Sequence, residues 1–173
     1  MNNDNFFPSE DYKVPVSSNY MRLSDGENTF RVLGSAVVGF EYWTENNKPV
    51  RSKEMPRQIP MDIKLDKEGK PSAIKHFWAF PVYNYEAKKV QILELTQKGI
   101  MNTIKSYIDN KKWGNPKGYD IVITRTGAGF DTEYQTIANP HSEIPQDILV
   151  ELSGKTINLE ALFESKDPFE ANF

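Results

Sequence analysis

The chain has 173 residues, a formal net charge of −3 and no cysteine. This length suits one domain, or one domain with tails. Without cysteine, disulfides and thiolate metal sites such as zinc fingers are excluded, and no metal or cofactor is predicted. No apolar run approaches the length of about 18 residues that is typical of a transmembrane helix, so a cytoplasmic protein is expected.

The charge is unevenly distributed along the chain. Residues 20–140 hold 18 lysines and arginines against 14 carboxylates, whereas residues 141–173 hold seven carboxylates against two lysines. Residues 1–19 are rich in asparagine, serine and acidic side chains, and are predicted to form a flexible arm. We therefore predict a basic folded domain over residues 20–140, followed by short helices and an acidic tail over residues 141–173.

The first predicted strand is long and runs from Asn28 to Trp43. Apolar residues alternate along it, and Gly34 and Gly39 interrupt it in a way that is typical of a bend. A polar stretch follows over residues 44–72 and is rich in proline and cations. Because a loop of this length in a compact domain is usually functional or disordered, we expect it to bind something, with one short strand near residues 60–65.

Beyond the loop, the period of the hydrophobic pattern changes twice. Residues 97–110 carry apolar side chains at helical spacing, whereas the segments around them alternate every second residue. We predict strands at 75–84, 88–95, 119–126 and 131–138, and short helices at 146–152 and 159–164. Three strands, one helix and two strands is the order of an OB-fold, a five-stranded, partly open barrel with its helix between strands 3 and 4.

The segment from Lys75 to Tyr85 carries aromatic rings on both predicted strand faces. Alternation sends Phe77 and Tyr83 to one face and Trp78 and Phe80 to the other. A soluble sheet needs one apolar face for its core, so we expect the second aromatic face to bind a partner. Rings flanked by lysines suit the bases and phosphates of single-stranded DNA.

In an OB-fold, the loop after the first strand and the adjacent strand faces bind oligonucleotides. In this chain that loop is the cationic segment over residues 44–72. We therefore predict DNA-binding residues in this loop, on the aromatic strand and its turn, and on the last hairpin: Trp43, Arg51, Lys53, Arg57, Lys75, Trp78, Phe80, Tyr83, Tyr85, Lys88, Lys89, Arg125 and Tyr134.

Some residues in or near these segments have a second interpretation. Trp43 suits a core position as well as a DNA contact, and Phe77 is expected in the core. Arg125 lies inside a strand, where an unpaired cation is costly to bury, so it either faces the groove or pairs with Asp120 or Glu133. No nucleophile elbow, phosphate-binding glycine loop or metal-ligand motif is present, and no catalytic residues are predicted.

Two other functions remain open from the residues alone. One is a β-barrel adaptor that uses its aromatic face as a hydrophobic protein interface, and its binding would survive high salt. The other is a hydrolase that uses carboxylates such as Asp62 and Asp120 with Mg²⁺, and it would cleave labelled strands only when metal is added.

Three segments of the chain form a recognisable set: residues 23–33 (LSDGENTFRVL), 76–100 and 118–136, of which the most specific part is ITRTGAGFDTEY at residues 123–134. Together they resemble the single-stranded-DNA-binding replication proteins of tailed phages. The resemblance implies an OB-fold core that coats single strands without strong sequence preference during replication, recombination and repair. Some members of that family carry a zinc subdomain, which this chain cannot build without cysteine.

The carboxyl end resembles the acidic tails, ending in phenylalanine, with which bacterial and phage strand-binding proteins recruit replication partners. An acidic tail can also occupy a basic groove when DNA is absent. Self-association into a homo-oligomer is left open. The resemblance implies a partner-binding tail made of Asp167, Phe169, Glu170 and Phe173.

Overall fold

A computed structural model describes residues 18–170 of the chain. Most of the predicted N-terminal arm, residues 1–17, lies outside the described residues, and so does the predicted tail residue Phe173. In the described part of the chain, no helix is both long enough and apolar enough to cross a membrane.

Seven antiparallel strands form one open sheet. They follow the order β3-β2-β4-β1-β6-β7, and β5 pairs with β4 outside this path. The predicted mainly-β class is confirmed, but residues 18–170 show no pairing of β5 with β7 that would close a barrel. The strands are β1 (Gly26–Val32), β2 (Val37–Trp43), β3 (Pro49–Ser52), β4 (Lys75–Asn84), β5 (Lys89–Leu95), β6 (Asp120–Thr126) and β7 (Glu133–Ala138).

The predicted first strand is in fact two strands, β1 and β2, separated by a bend at residues 33–36. Both pair with the same edge of β4, β1 near its end and β2 near its start. At Gly34 in the bend, an added Cβ would lie 2.8 Å from Pro81 Cγ, so a side chain would push the chain away from β4. The bend allows β1 to pair with β6 while β2 pairs with β3.

The connection between β2 and β4 holds a strand at a position that the sequence pattern did not predict. β3 lies at residues 49–52, whereas the segment predicted as a strand, residues 60–65, makes only single bridges, Thr44 to Ile63 and Leu65 to Pro71. Prolines in this connection remove backbone donors that a continuous ladder needs. The rest of the connection is therefore loop.

Both faces of β4 are covered by the chain itself. Phe80 and Val82 point into the main core, whereas Phe77 and Ala79 on the other face pack against residues of the carboxyl-terminal segment, including Leu162. This corrects the expectation that a second aromatic face requires an external partner. The physical reason is that the chain after β7 folds back and buries that face.

The helices lie close to their predicted positions. α1 (Lys98–Asp109) buries Ile100, Met101 and Ile104 against the main core, as its helical spacing predicts. α2 (Gln146–Ser153) packs Ile148 against Leu33 and Val90, and a 3₁₀-helix follows at Leu159–Glu164. Short 3₁₀ turns also lie at Pro116–Gly118 and Gly129–Asp131.

Candidate nucleic-acid interface

The predicted stacking rings of β4 do not form one surface. Phe80 is buried in the main core with its ring centroid 6.3 Å from that of Phe30, which corrects its prediction as a surface ring. Tyr83 and Tyr85 form an edge-to-face pair with centroids 5.3 Å apart, half-buried against the cluster of Leu33, Val90 and Ile148. Their apolar surface is therefore largely used in packing within the chain.

Trp78 lies apart from that tyrosine pair. Its indole is half-buried and lines a groove of about 240 Å³ together with Ile104 and Ile108 of α1. We call this groove the Trp78 groove. Its other lining residues are Val32, Gly34, Ser35, Ala36, Phe80, Asn115, Pro116 and Lys117.

Arg51 was predicted to contact phosphate, but its charge is already paired inside the protein. Its Nη2 lies 2.7 Å from Glu94 Oε2, its Nε lies 3.3 Å from Glu41 Oε2, and its guanidinium lies 5.8 Å from the centroid of the Phe77 ring. All three charged side chains are largely buried. This arrangement corrects the prediction, because Arg51 contacts the carboxylate of Glu94 and the carboxyl group of Glu41 and scarcely reaches solvent.

Glu41 has an unusual environment within this cluster. Burial, together with a hydrogen bond to Glu94 and the negative charge of that residue, raises the pKa of Glu41 to about 8. The Arg51 guanidinium favours the charged form but does not outweigh those effects. At neutral pH the Glu41 carboxyl is therefore mainly protonated.

The other predicted cations are dispersed over the surface. Lys53 is exposed, forms an ion pair with Glu160 at 3.0 Å and lies 5.5 Å from the centroid of the Phe163 ring. Arg57 is exposed in the loop before β4. Lys88 adopts a positive φ of 52° in the β4–β5 turn, and Lys89 Nζ donates to the Ser18 carbonyl oxygen at 3.1 Å.

Arg125 has neither of its two predicted ion-pair partners. Its Nη1 donates to the Leu23 carbonyl oxygen at 3.1 Å, and its Nε lies 3.7 Å from the Asp25 carboxylate. Asp120, proposed as its partner, instead accepts from the buried Arg31 at 2.7 Å. Tyr134 lies opposite Arg125 on β7 and packs against the main core.

Two predicted residues do come together at the end of β2. Trp43 is 45% exposed and lines an open cavity of about 570 Å³ with Lys75, the first residue of β4. Lys64, which was not predicted as a site residue, lines the same cavity. We call this site the Trp43 cleft; its other lining residues are Asp66, Pro71, Ser72 and Ala73.

Backbone hydrogen bonds hold Lys64 beside Trp43. The Lys64 N–H donates to the Trp43 carbonyl oxygen at 2.7 Å, and the Ser72 N–H donates to the Lys64 carbonyl oxygen at 2.9 Å. Lys64 Nζ donates to the neutral Asn47 Oδ1 at 2.7 Å, an interaction that leaves its charge uncompensated. Alternation along residues 60–65 gave no signal for this lysine, because only these long-range bonds place it at the cleft.

The cleft has an excess of positive charge. Its lining contains two lysines and one carboxylate, Asp66, which accepts the backbone N–H groups of Glu68 and Lys70 at 2.9 Å each. An exposed indole beside two ammonium groups can stack on a base and contact the adjoining phosphates. The Trp43 cleft therefore has the chemistry of a single-strand binding site.

The predicted tail residues differ in their surroundings. Asp167 and Glu170 are exposed, whereas Phe169 packs against the cluster of Phe77 and Leu162. Lys155 Nζ lies 5.9 Å from the centroid of the Phe169 ring. Phe169 is thus an anchor for the carboxyl-terminal segment, which corrects its assignment as a free partner-binding ring.

Sequence reasoning did not identify one fully exposed ring, Phe130, at the turn between β6 and β7. The two glycines that precede it, Gly127 and Gly129, were a signal for a tight turn that projects its side chains outward. In the described part of the chain, no group of three or more His, Asp or Glu side chains is arranged to hold a metal ion. Comparisons with protein-family models, curated proteins and solved structures found no match.

Proposed function

We propose that this protein binds single-stranded DNA without strong sequence preference, in the manner of phage replication proteins. The observation that carries the proposal is the Trp43 cleft, where an exposed indole lies beside Lys64 and Lys75. One base stacks on Trp43, and the two ammonium groups contact the flanking phosphates. Neither stacking on the indole nor the phosphate contacts of the two lysines depend on which base is bound, so the site accepts any sequence.

The strand connections support an OB-type core as part of this proposal. The bent β1–β2 unit pairs with β4, β4 pairs with β5, α1 follows, and β6 returns to β1 before β7. Taken as the first strand of an OB-fold, the bent β1–β2 unit is followed by residues 44–74, which include β3, as its first connection. In OB-folds that connection contributes to oligonucleotide binding, and here it supplies Lys64 to the cleft.

The proposal is tested by titrating the full chain with oligo-dT at several salt concentrations while tryptophan fluorescence is recorded. Binding should weaken with salt at a log–log slope of about −0.7 per phosphate contacted. Replacing Lys64 and Lys75 by alanine should reduce the magnitude of that slope by about 1.4. The control is Lys105→Ala, because this exposed lysine is paired with Asp109 on α1 and lies outside the cleft.

Stacking is tested separately by changing the ring. Trp43→Leu should weaken oligo-dT binding by about 1–3 kcal/mol, whereas Trp43→Phe, which keeps a π-face, should retain most of the affinity. Binding that is insensitive to both salt and the loss of the ring would refute the proposal. A salt-insensitive association with protein would instead favour the adaptor function.

The acidic carboxyl end is part of the same proposal. Asp167 and Glu170 are exposed there, and they offer carboxylates to a basic surface on replication partners. Phe169 is excluded from this role because it packs on the sheet. The proposed hydrophobic contact with partners therefore rests on Phe173, outside the described residues.

A further inference from the structure

Phe130 is the most exposed large hydrophobic side chain in residues 18–170, with a relative exposure of 110%. The turn that carries it is well defined by hydrogen bonds. The Asp131 N–H donates to the Ala128 carbonyl oxygen at 3.0 Å, and Thr132 Oγ1 donates to the Gly129 carbonyl oxygen at 2.8 Å. Phe130 is therefore held outward by a structured turn and not by a loose loop.

Glycine is required at this turn. Gly127 has a φ of 79° and Gly129 a φ of 57°, both in the left-handed region that L side chains rarely adopt. A Cβ at Gly127 would also collide with the Asp131 carbonyl oxygen. The local sequence thus commits two glycines to a turn whose apex is an apolar ring.

Carboxylates flank that ring. Asp131 and Glu133 are both exposed, and neither forms an ion pair within residues 18–170. An acidic surrounding repels nucleic acid, so a stacking role for Phe130 on DNA is disfavoured. An exposed ring between carboxylates is instead suited to bind an apolar pocket that has positive charge at its rim.

The Trp78 groove is such a pocket. Its lining includes the apolar side chains of Trp78, Ile104, Ile108 and Pro116, one cation, Lys117, and no carboxylate. Its volume of about 240 Å³ is small and suits a single inserted side chain. Ile108 is 39% exposed at its margin, so part of this apolar surface is in water.

The Phe130 turn and the Trp78 groove lie at opposite ends of the β1–β6 ladder. Gly26 pairs with Arg125 next to the turn, whereas Arg31 pairs with Asp120 next to the groove residue Lys117. β6 spans seven residues between the two ends, which corresponds to six steps of about 3.3 Å, or about 20 Å. Phe130 therefore cannot reach the groove of its own chain, but it can reach that of a second copy.

We propose that this protein self-associates head to tail, with Phe130 of one copy inserted into the Trp78 groove of the next and Asp131 placed near Lys117. Because the two surfaces differ and lie at opposite ends, the contact is heterologous and each copy leaves one free end. Such a contact builds open-ended rows. The proposal does not depend on DNA binding, since neither surface belongs to the Trp43 cleft.

The test is sedimentation velocity of the full chain without DNA, at concentrations rising to about 1 mM. The wild type should show a sedimentation coefficient that increases with concentration beyond that of a dimer. Phe130→Ala, which removes the ring, and Ile108→Arg, which blocks the groove, should each remain monomeric at concentrations about tenfold above the wild-type onset. Met61→Ala is the matched control, because Met61 is 101% exposed on a different loop and its loss should change nothing.

A mixture of the two defective variants gives the sharpest result. Phe130→Ala retains an intact groove and Ile108→Arg retains an intact ring, so an equimolar mixture should form a dimer and stop there. A two-fold symmetric interface would instead stop at two copies in the wild type as well. If circular dichroism shows that Ile108→Arg is unfolded, Lys117→Glu serves as the groove variant. A monomeric wild type at about 1 mM, self-association of Phe130→Ala equal to wild type, or no rescue between folded variants would overturn the proposal.

Discussion

Arg31 is fully buried, yet its guanidinium is well satisfied by hydrogen bonds. Its Nε donates to Asp120 at 2.7 Å, and its Nη1 donates to the carbonyl oxygens of Lys117 at 3.2 Å and Ser142 at 3.0 Å. Tyr85 donates to the same Asp120 oxygen at 2.8 Å. Burial and this bond raise the pKa of Tyr85 to about 12. One arginine thereby ties β1 to the start of β6 and to the segment after β7.

Replacing Arg31 by methionine tests that role. The change keeps most of the side-chain volume but removes the cation from Asp120, which keeps only its bond from Tyr85, and leaves two carbonyl oxygens without this donor. We therefore expect a loss of about 3 kcal/mol of unfolding free energy. Urea unfolding gives the measurement. Lys105→Met, which breaks an exposed ion pair, should cost less than about 0.5 kcal/mol. Equal effects of the two changes would show that the buried network contributes little.

The Glu41 cluster makes the protein less stable as pH rises. The pKa of Glu41 is about 8 in the fold, above its ordinary value of 4.5, so the folded chain holds a proton that the unfolded chain releases between these values. The contribution is complete below pH 4.5 and is lost as pH rises through about 8.

The Glu41→Gln variant tests this linkage, because its amide is neutral at every pH. Thermal unfolding of wild type and variant should differ least near pH 5, and the variant should become relatively more stable toward pH 8.5. The ordering follows from the charge that only the wild type acquires beside Glu94. A difference in Tm that stays constant over this pH range would contradict the raised pKa.

β2 depends on close approach at Gly39. An added Cβ would collide with the Ser52 carbonyl oxygen of β3 and would lie 2.9 Å from Phe163 Cε1. Gly39→Ala should therefore push β3 and the carboxyl-terminal segment outward and cost about 1–3 kcal/mol. Gly99→Ala is the matched control, because a Cβ there meets nothing within 4 Å and alanine favours α1 by up to about 1 kcal/mol. Chemical denaturation of both variants should give opposite signs.

Elements whose packing follows local periodicity could be predicted from the sequence. β6 and α1 keep a regular alternation or helical spacing, because each has one side on the main core, whereas β4 was recognised from a continuous apolar and aromatic run that is covered on both faces. The bend at Gly34 had a local signal as well. β3 had none, since four half-buried residues carry too short a pattern.

The candidate site was less predictable because it depends on contacts between distant segments. Arg51 looked like a free loop cation, but Glu41 and Glu94 reach it only after β2, β3 and β5 assemble. Lys64 gave no signal, since its position beside Trp43 comes from backbone bonds within the folded loop. Phe80 and Trp78 share a strand face, but Phe80 is buried in the main core whereas Trp78 is only half-buried against it.

The segment after β7 forms a second layer that packs on the sheet. Leu162, Phe163 and Phe169 cover the β4 face that carries Phe77. The Asn158 N–H donates to the Pro168 carbonyl oxygen at 2.7 Å, which fixes the segment on itself. None of these residues lines the Trp43 cleft, so the described part of the acidic end does not fill the proposed DNA site.

Truncation separates a structural role of the carboxyl end from competition with DNA. Removing residues 166–173 takes away Phe169 and its packing on the sheet, which we expect to cost about 1–3 kcal/mol and to lower the Tm by about 3–10 °C. Removing residues 171–173 alone keeps Phe169 and its packing on the sheet, so it is the matched control, and its Tm should stay above that of the longer deletion. Because none of the described residues of the carboxyl end lines the Trp43 cleft, oligo-dT affinity at low salt should change by less than about threefold, the effect of roughly one weak charge pair. A gain of tenfold or more in oligo-dT affinity on either truncation would show that the acidic end competes for the cleft. An unchanged Tm after the longer deletion would show that Phe169 does not anchor the carboxyl-terminal segment to the sheet.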